Sequence, residues 1–435
     1  MAPTGTAPKT EVLLTPSTLE RSHPSASSIV SLTVHDDLYS LEQIWRAFEQ
    51  EADCTAFQAF DWLSRWQRHV GTRSDVRPVI VLGRDANGKL LFIVPLAVHP
   101  GRISNLTWLG SDLCDYNAPL LAPNLSAPVY DRFTVIWNEI LQHIRAAKIP
   151  FDYVRLEKMP ERIGNQRNPF LQLPTSRHPS AAYVCTLSSS WDEFYKKKRS
   201  SNRRKGDRNR SKRFAQFGAV QLHSAESPED LRRTVTKLFE QKSSLFERMG
   251  VADLFARPGY QEFFVDLATS DQGHQLAHVS RLEVGPTWAA TNLGILFRGS
   301  YYHVLCSYEW SPIAPLGPGT AHLHELMRFA IARGLQRFDL TIGDEPYKLE
   351  WADGKTHLYD HASSAGVRGW VVIAGIHIRR RLKRGIKQNP YLWQVAVKVR
   401  QLFGAGRTRS AGYHPKVKAD ASSSDRGVDG HRSPD

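Results

Sequence analysis

YEWSPIAPLGPGTAHLHELMRFAIARGLQRFDLTIGDEPYKLEW, running from Tyr308 to Trp351, is the stretch on which the fold of this chain turns. An apolar strand ends at its start, and a loop rich in Pro and Gly follows over Pro312 to Thr320. Leu323, Leu326, Met327 and Ala330 then recur at helical spacing and predict a helix over Gly319 to Arg333, before Arg337 to Ile342 returns as a strand. The first N–H groups of a helix are unpaired and lie at the positive end of its dipole, so a Gly-rich approach lets a phosphate come close. Gly317 and Gly319, with the amides of Thr320, Ala321 and His322, are the candidate cradle, although Pro and Gly before a helix are equally ordinary loop chemistry.

Acids, a Tyr and a Lys follow the last strand directly, in Gly343-Asp344-Glu345-Pro346-Tyr347-Lys348. An amine must shed a proton before it attacks an acyl carbon, and Glu309, His303 and Asp344 are the candidate bases. Tyr347 and Lys348 suit protonation of a leaving group or the holding of an oxyanion. Asp339 reads as a buried carboxylate that caps a loop, and Trp351 as core. His322 and His324, two apart on a helix, point to different faces and predict no metal pair.

Upstream, Gln275 to Glu283, Trp288 to Phe297 and Tyr301 to Tyr308 read as an antiparallel meander turned at Gly285-Pro286 and Arg298-Gly299. Helices are expected from about Trp191, with Ser188 to Ser190 as an N-cap run, and over Pro228 to Arg248 and Tyr260 to Ala268. The first part of the chain gives the same order. Two short helices lie between Leu38 and Val70, a hairpin turns at Asn87-Gly88, a strand follows at Leu106 to Leu109, a helix at Tyr130 to Ala147 and a strand at Phe151 to Glu157. Asp115 to Leu120 echoes Tyr308 to Ile313, and Phe151-Asp152-Tyr153 echoes Phe338-Asp339-Leu340.

The Pro-Gly helix start, the Phe-Asp strand and Gly343 to Trp351 resemble the GNAT acetyltransferases associated with cellulose and other exopolysaccharide biosynthesis, relatives of the FemAB-type aminoacyl transferases. Trp108 to Asp112 with Asp115-Tyr116, and Phe57-Gln58 with Trp62, extend the resemblance over Phe57 to Trp351. It implies an α/β (α+β) fold built as a tandem GNAT-like double domain, with mixed sheets flanked by helices. It also implies acetyl-CoA or another acyl-CoA as donor, no metal, and a small-molecule or glycan acceptor. In place of the usual Gln or Arg before Gly-x-Gly this chain has Pro315-Leu316-Gly317-Pro318-Gly319.

The 435 residues, 41% of them hydrophobic, are enough for two packed units: an N-terminal GNAT-like half at 29–180, structural or acceptor-binding, and a C-terminal acyltransferase domain at 181–370. Residues 1–28 read as a disordered leader, 371–403 as a basic amphipathic segment able to lie on an anionic membrane surface, and 404–435 as a disordered tail. Four scattered cysteines suit a reducing, cytoplasmic setting, and no apolar run reaches membrane-spanning length.

The net charge of +14 is concentrated in two segments. Lys196 to Arg213 carries eleven Lys or Arg against one Asp, and Arg379 to Arg407 carries nine with no acid, so the remainder is mildly acidic. The first run is a solvated helix or a grip on phosphate: that of CoA, of a nucleotide-sugar or acidic polysaccharide acceptor, or of a tRNA. Nucleic acid enters only through that last alternative, a FemAB-like aminoacyl-tRNA-dependent transferase. A non-catalytic GNAT-fold binding protein is the remaining reading.

Overall fold

The computed structural model describes residues 31–375; the expected leader, tail and nearly all of the 371–403 segment lie outside the described residues. The first half opens with β1 (Ser31–His35), α1 (Glu42–Glu51) and α2 (Phe60–Trp66). Next come β2 (Arg77–Arg84), β3 (Leu90–His99), β4 (Asn105–Trp108), α3 (Phe133–Ala146) and β5 (Tyr153–Pro160). The chain then runs through β6 (Thr175–Arg177) into β7 (Ala182–Thr186), and through α4 (Trp191–Lys198) into α5 (Ser201–Phe214). Ser190 and Ser200 cap these two helices through their side chains.

The second half continues with β8 (Val220–Ser224), α6 (Pro228–Met249), α7 (Tyr260–Thr269), β9 (Ala277–Val284), β10 (Thr287–Phe297) and β11 (Ser300–Tyr308). It closes with α8 (Pro318–Ala332), β12 (Arg337–Ile342), α9 (Pro346–Leu349), β13 (Gly354–Thr356) and β14 (Leu358–Ser364).

Two mixed sheets result, and their orders correspond strand for strand. The first runs β1-β2-β3-β4-β5-β14-β6, with Leu120–Leu121 added beside β3; the second runs β8-β9-β10-β11-β12-β7-β13. In each, a single parallel pair, β4 with β5 or β11 with β12, is bridged by one helix, α3 or α8. The correspondence extends to the backbone. A register shift opposite β14 and β7 falls at the same place in β5 and β12, and there a non-Gly residue takes a left-handed conformation, Lys158 at φ 58° and Thr341 at φ 59°. Such residues are uncommon, so a matched pair is strong evidence of a duplicated fold. This is the tandem GNAT-like α/β architecture.

The halves are not cut cleanly at residue 180. β14, inside the range expected for the C-terminal half, pairs with β5 of the first sheet, whereas β7 pairs with β12 of the second. The register also separates the two Phe-Asp echoes. Asp152 precedes β5 and accepts the Ser104 amide at 2.7 Å, whereas Asp339 lies within β12, at the level of Leu156 in β5.

One hydrophobic core joins the halves. Phe57 and Trp62 pack edge-on against each other, Trp62 meets Phe263 at 5.0 Å and Phe264 at 6.1 Å, and Phe57 meets Tyr302 at 5.9 Å. Each such fully buried aromatic contributes about 1.5–3 kcal/mol from burial alone. Among the described residues no helix is long and apolar enough to cross a membrane. Because core and strands are shared, scanning calorimetry is expected to show one cooperative transition for the folded body, and a fragment covering 31–180 is expected to give no near-UV circular dichroism. Two separate calorimetric transitions would contradict the shared core.

Candidate functional site

β11 and β12 run parallel from Ser300 and Arg337 to Tyr302 and Asp339 and then diverge. Two distortions open the gap. β11 bulges between Tyr302 and Leu305, adding one residue opposite β10, and β12 turns through the left-handed Thr341. At the equivalent point of the first half the chain leaves β3 after Trp108 and returns to it at Leu120–Leu121, so that a whole loop stands in place of the single extra residue. The bulge turns His303 and Cys306 to the same face of β11, the face toward α8. There His303 lies 6.1 Å from the Phe338 ring, and its charge acts on the Cys306 thiol.

Lys348 braces the diverging end of β12. Its buried ammonium donates to the carbonyls of Ile342 at 2.7 Å and Thr341 at 3.4 Å and pairs with Glu345 at 3.0 Å. Tyr347 stands beside Cys306, and burial, with the negative charge of Cys306 and Glu345, pushes its phenol well above the ordinary value.

The first half sends a loop into this gap. The Tyr116 hydroxyl donates to Asp339 Oδ1 at 2.7 Å, and the same oxygen accepts the Thr341 amide at 2.7 Å. The loop is pinned from three sides. Gln58, held by a capping box with Thr55, donates to the Tyr116 carbonyl at 2.9 Å; Asn117 donates to the Glu157 carbonyl at 2.9 Å; and Lys158 donates to the Cys114 carbonyl. Burial pushes the Asp339 carboxyl up, the Tyr116 and Thr341 hydrogen bonds pull it back and neighbouring Asp115 lifts it again, leaving it at about 7. Asp115 is raised as well, chiefly by burial.

Asp339 and Tyr116 line a cavity of about 570 Å³ where the two halves meet, together with Arg162, Arg298, Arg337 and Lys355 and the acids Asp53 and Glu161. Asp339 Oδ1 is committed to its two donors and Oδ2 to none, so the free oxygen is the one available to a cavity occupant. A titratable group perturbed by burial in a cleft is the pattern of a reactive site.

The start of α8 lies at the other end of the gap. Gly317 takes φ 72°, Pro318 has no N–H, and the Thr320 and Ala321 amides both donate to the Gly317 carbonyl at 3.1 and 3.2 Å. Of the expected cradle, this leaves Gly319 as the amide without a main-chain acceptor in the first turn. The His322 side chain turns inward to Ser280 Oγ at 3.1 Å, and burial, with His303 and His278, lowers it to about 3. A cation compensates: Arg210 of the basic α5 reaches within 4.0 Å of where a Gly317 Cβ would stand.

α5 is anchored at its start by Arg199, which is buried over the Trp351 ring and pairs with Asp207 at 3.0 Å and with Glu350, while Lys205, Arg208, Lys212 and Arg213 remain exposed. Trp351 is core.

Two expected bases lie elsewhere. Glu309 projects from the opposite face of β11 toward α6, where Lys237 holds it at 3.0 Å and Gln241 donates to it at 3.4 Å. Asp344 accepts the Tyr183 hydroxyl at 3.0 Å on the β7 side. The gap therefore brings together His303, Tyr347, Lys348 and, from the expectations set aside as structural, Asp339. Cys306 and Tyr116 are additions. Tyr116 was visible only within the Asp115-Tyr116 stretch.

An Asp with a folded value of about 7 against an ordinary 3.8 favours the fold while protonated. That contribution, on the order of 4 kcal/mol, is full below about pH 4 and is lost as pH rises through about 7. Asp339→Asn, which keeps an acceptor for Tyr116 and Thr341, is expected to raise the melting temperature above wild type at pH 8, with the difference vanishing toward pH 4. A variant less stable than wild type at pH 8 would contradict the burial of this charge.

Residues 201–349 match the family model described as Acetyltransferase (GNAT) domain. FemX is similar in structure, with TM-score 0.50 and 10% identity, over 73% of this chain and 95% of that one. L-PGS from Bacillus licheniformis is similar with TM-score 0.47 and 15% identity over 79% and 96% of the two chains. A conserved protein of unknown function from Bacteroides thetaiotaomicron gives TM-score 0.47 and 10% identity over 76% and 98%. No curated protein matches the sequence. At these identities the likeness is one of fold, and the GNAT match falls on the half that holds the bulged, diverging strands.

Proposed function

We propose that the protein is an acyltransferase that moves an acetyl or other acyl group from acyl-CoA to an amine or hydroxyl of an acceptor held in the cavity between the halves. The reading rests above all on Asp339. A carboxyl held at about 7, with one oxygen fixed and the other open to a cavity, is poised to take a proton near neutral pH. The donor acyl carbon would enter between β11 and β12, with its phosphates toward the Gly319 amide and Arg210.

Tyr347 retains its proton and suits delivery of it to the departing thiolate. Lys348, tied to main-chain carbonyls, positions the strand ends rather than touching the leaving group. In this reading the 181–370 half holds the donor, and the 29–180 half supplies the acceptor wall through Tyr116 and Arg162. The Arg and Lys residues lining the cavity favour an acceptor bearing phosphate or carboxylate, such as a sugar or polysaccharide precursor carried on a nucleotide.

A second reading is favoured by α5, whose exposed cations continue outward from Arg210 beyond the reach of a single pyrophosphate. A polyanionic carrier, such as the tRNA of an aminoacyl donor, would use them, and its binding would fall steeply with salt.

Thermal unfolding with acetyl-CoA separates the two. Ligand at one hundred times Kd stabilises the native state by about 2.7 kcal/mol. A rise in melting temperature with acetyl-CoA, abolished in Arg210→Glu and retained in Glu309→Gln, is expected. No shift with acetyl-CoA, together with salt-sensitive retention of tRNA, would replace the first reading by the second. In a transfer assay, Asp339→Asn is expected to lower kcat/KM by about 10²–10⁴-fold, and the wild-type rate to rise with pH through about 7. Full activity of that variant would remove Asp339 from the chemistry.

A further inference from the structure

Cys306 differs from the other cysteines of the chain. Cys54, Cys114 and Cys185 are buried, and burial pushes the first and last up to about 12 and Cys114 higher still. Cys306 is exposed in the gap, one residue beyond the β11 bulge. The bulge sets His303 on the same face of β11 as the thiol, and Lys242 donates to the Cys306 carbonyl at 3.2 Å. Although the residue reaches the surface, the protein crowded around its sulfur would raise this thiol; the charge of His303, with Lys242 and Lys348, outweighs that and brings the group to about 7.

A second observation lies directly across the strand. Asn292, in register with Cys306 and fully buried, donates through Nδ2 to the Tyr301 hydroxyl at 2.7 Å, while its Oδ1 has no partner among the described residues. Side chains directly opposite in an antiparallel pair share a face about 5 Å apart. An unmet buried acceptor beside the thiol is a place for the N–H or O–H of a ligand. A thiol with an imidazole on the same strand face and cations around it is the arrangement of an activated nucleophile, and a structural cysteine has no use for it.

We propose that Cys306 takes the acyl group from the donor as an enzyme thioester and passes it to the acceptor, so that the transfer proceeds by double displacement. The proposal rests on the acyl-transfer reading above. In the first displacement the Cys306 proton moves to His303 and the sulfur bonds to the acyl carbon. The bond from that carbon to the donor sulfur breaks, and the donor thiolate leaves with the proton that His303 took. In the second, the acceptor nitrogen or oxygen attacks the Cys306 thioester and gives its proton to His303. The carbon to sulfur bond breaks and Cys306 returns as thiolate. No oxidant or reductant enters.

The test uses the full chain and p-nitrophenyl acetate, an activated ester that needs no carrier recognition. The expected result is a burst of one equivalent of p-nitrophenol with one acetyl group on the Cys306 peptide, released by hydroxylamine. The burst is expected to be lost in Cys306→Ala and Cys306→Ser, which keep the wild-type melting temperature, and slowed several-fold at pH 7 in His303→Ala. Its rate is expected to be half-maximal near pH 7, moving toward the ordinary thiol value of about 8.5 in His303→Ala. Acetylation absent from Cys306, or an acyl-transfer rate unchanged in Cys306→Ala, would overturn the proposal. If the ester acylates Cys306 while acetyl-CoA neither binds nor acylates, the acyl-CoA reading fails and the nucleophile stands.

Discussion

The phenol of Tyr116 crosses from one half of the molecule to the other and places its hydroxyl 2.7 Å from Asp339, at the point where two parallel strands part. Almost everything near the site is arranged around that bond. Gln58 fixes the Tyr116 carbonyl, Asn117 and Lys158 fix its loop, and the Thr341 amide shares the accepting oxygen, which a left-handed backbone at Thr341 makes possible. A buried carboxyl with two donors on one oxygen and none on the other is neither a settled structural ion nor a solvated one. Its environment holds it close to neutrality in both senses.

Duplication explains how such a site arises. The two halves share strand order, a bridging helix and even the left-handed residue in β5 and β12, yet only β11 carries the extra residue that turns His303 and Cys306 to one face. The first half, whose chain leaves β3 after Trp108 and returns at Leu120–Leu121, instead lends the loop between them and its core. Exchange of β7 and β14 between the sheets and the aromatic seam of Phe57, Trp62 and Phe263 keep the two halves in fixed register, which a hydrogen bond at 2.7 Å requires.

Much of the fold was legible in the sequence. Pro and Gly punctuate the meander of β9 to β11, and the 3.6-residue spacing of Leu323, Leu326, Met327 and Ala330 marks α8 to within a residue or two. Periodicity reports that a face is buried but not which sheet buries it, so β7, β13 and β14 are invisible in it as exchanged or edge strands. The site was misread for one reason above all. Simple alternation along β11 puts His303, Leu305, Ser307 and Glu309 on one face, and the bulge reverses that parity, joining His303 to Cys306 and turning Glu309 to Lys237. In the sequence alone Asp339 reads as structural, because the partner that gives it meaning lies 223 residues away.

The central claim is that the junction of the two halves holds Asp339 near neutrality for proton transfer. Isotope-edited infrared titration of its carboxyl, with Asp339→Asn as the reference, measures this directly. The account predicts a midpoint near pH 7, moving higher in Tyr116→Phe because the carboxylate loses a donor that stabilises it. A midpoint near the ordinary value of about 4, unmoved in Tyr116→Phe, would contradict it.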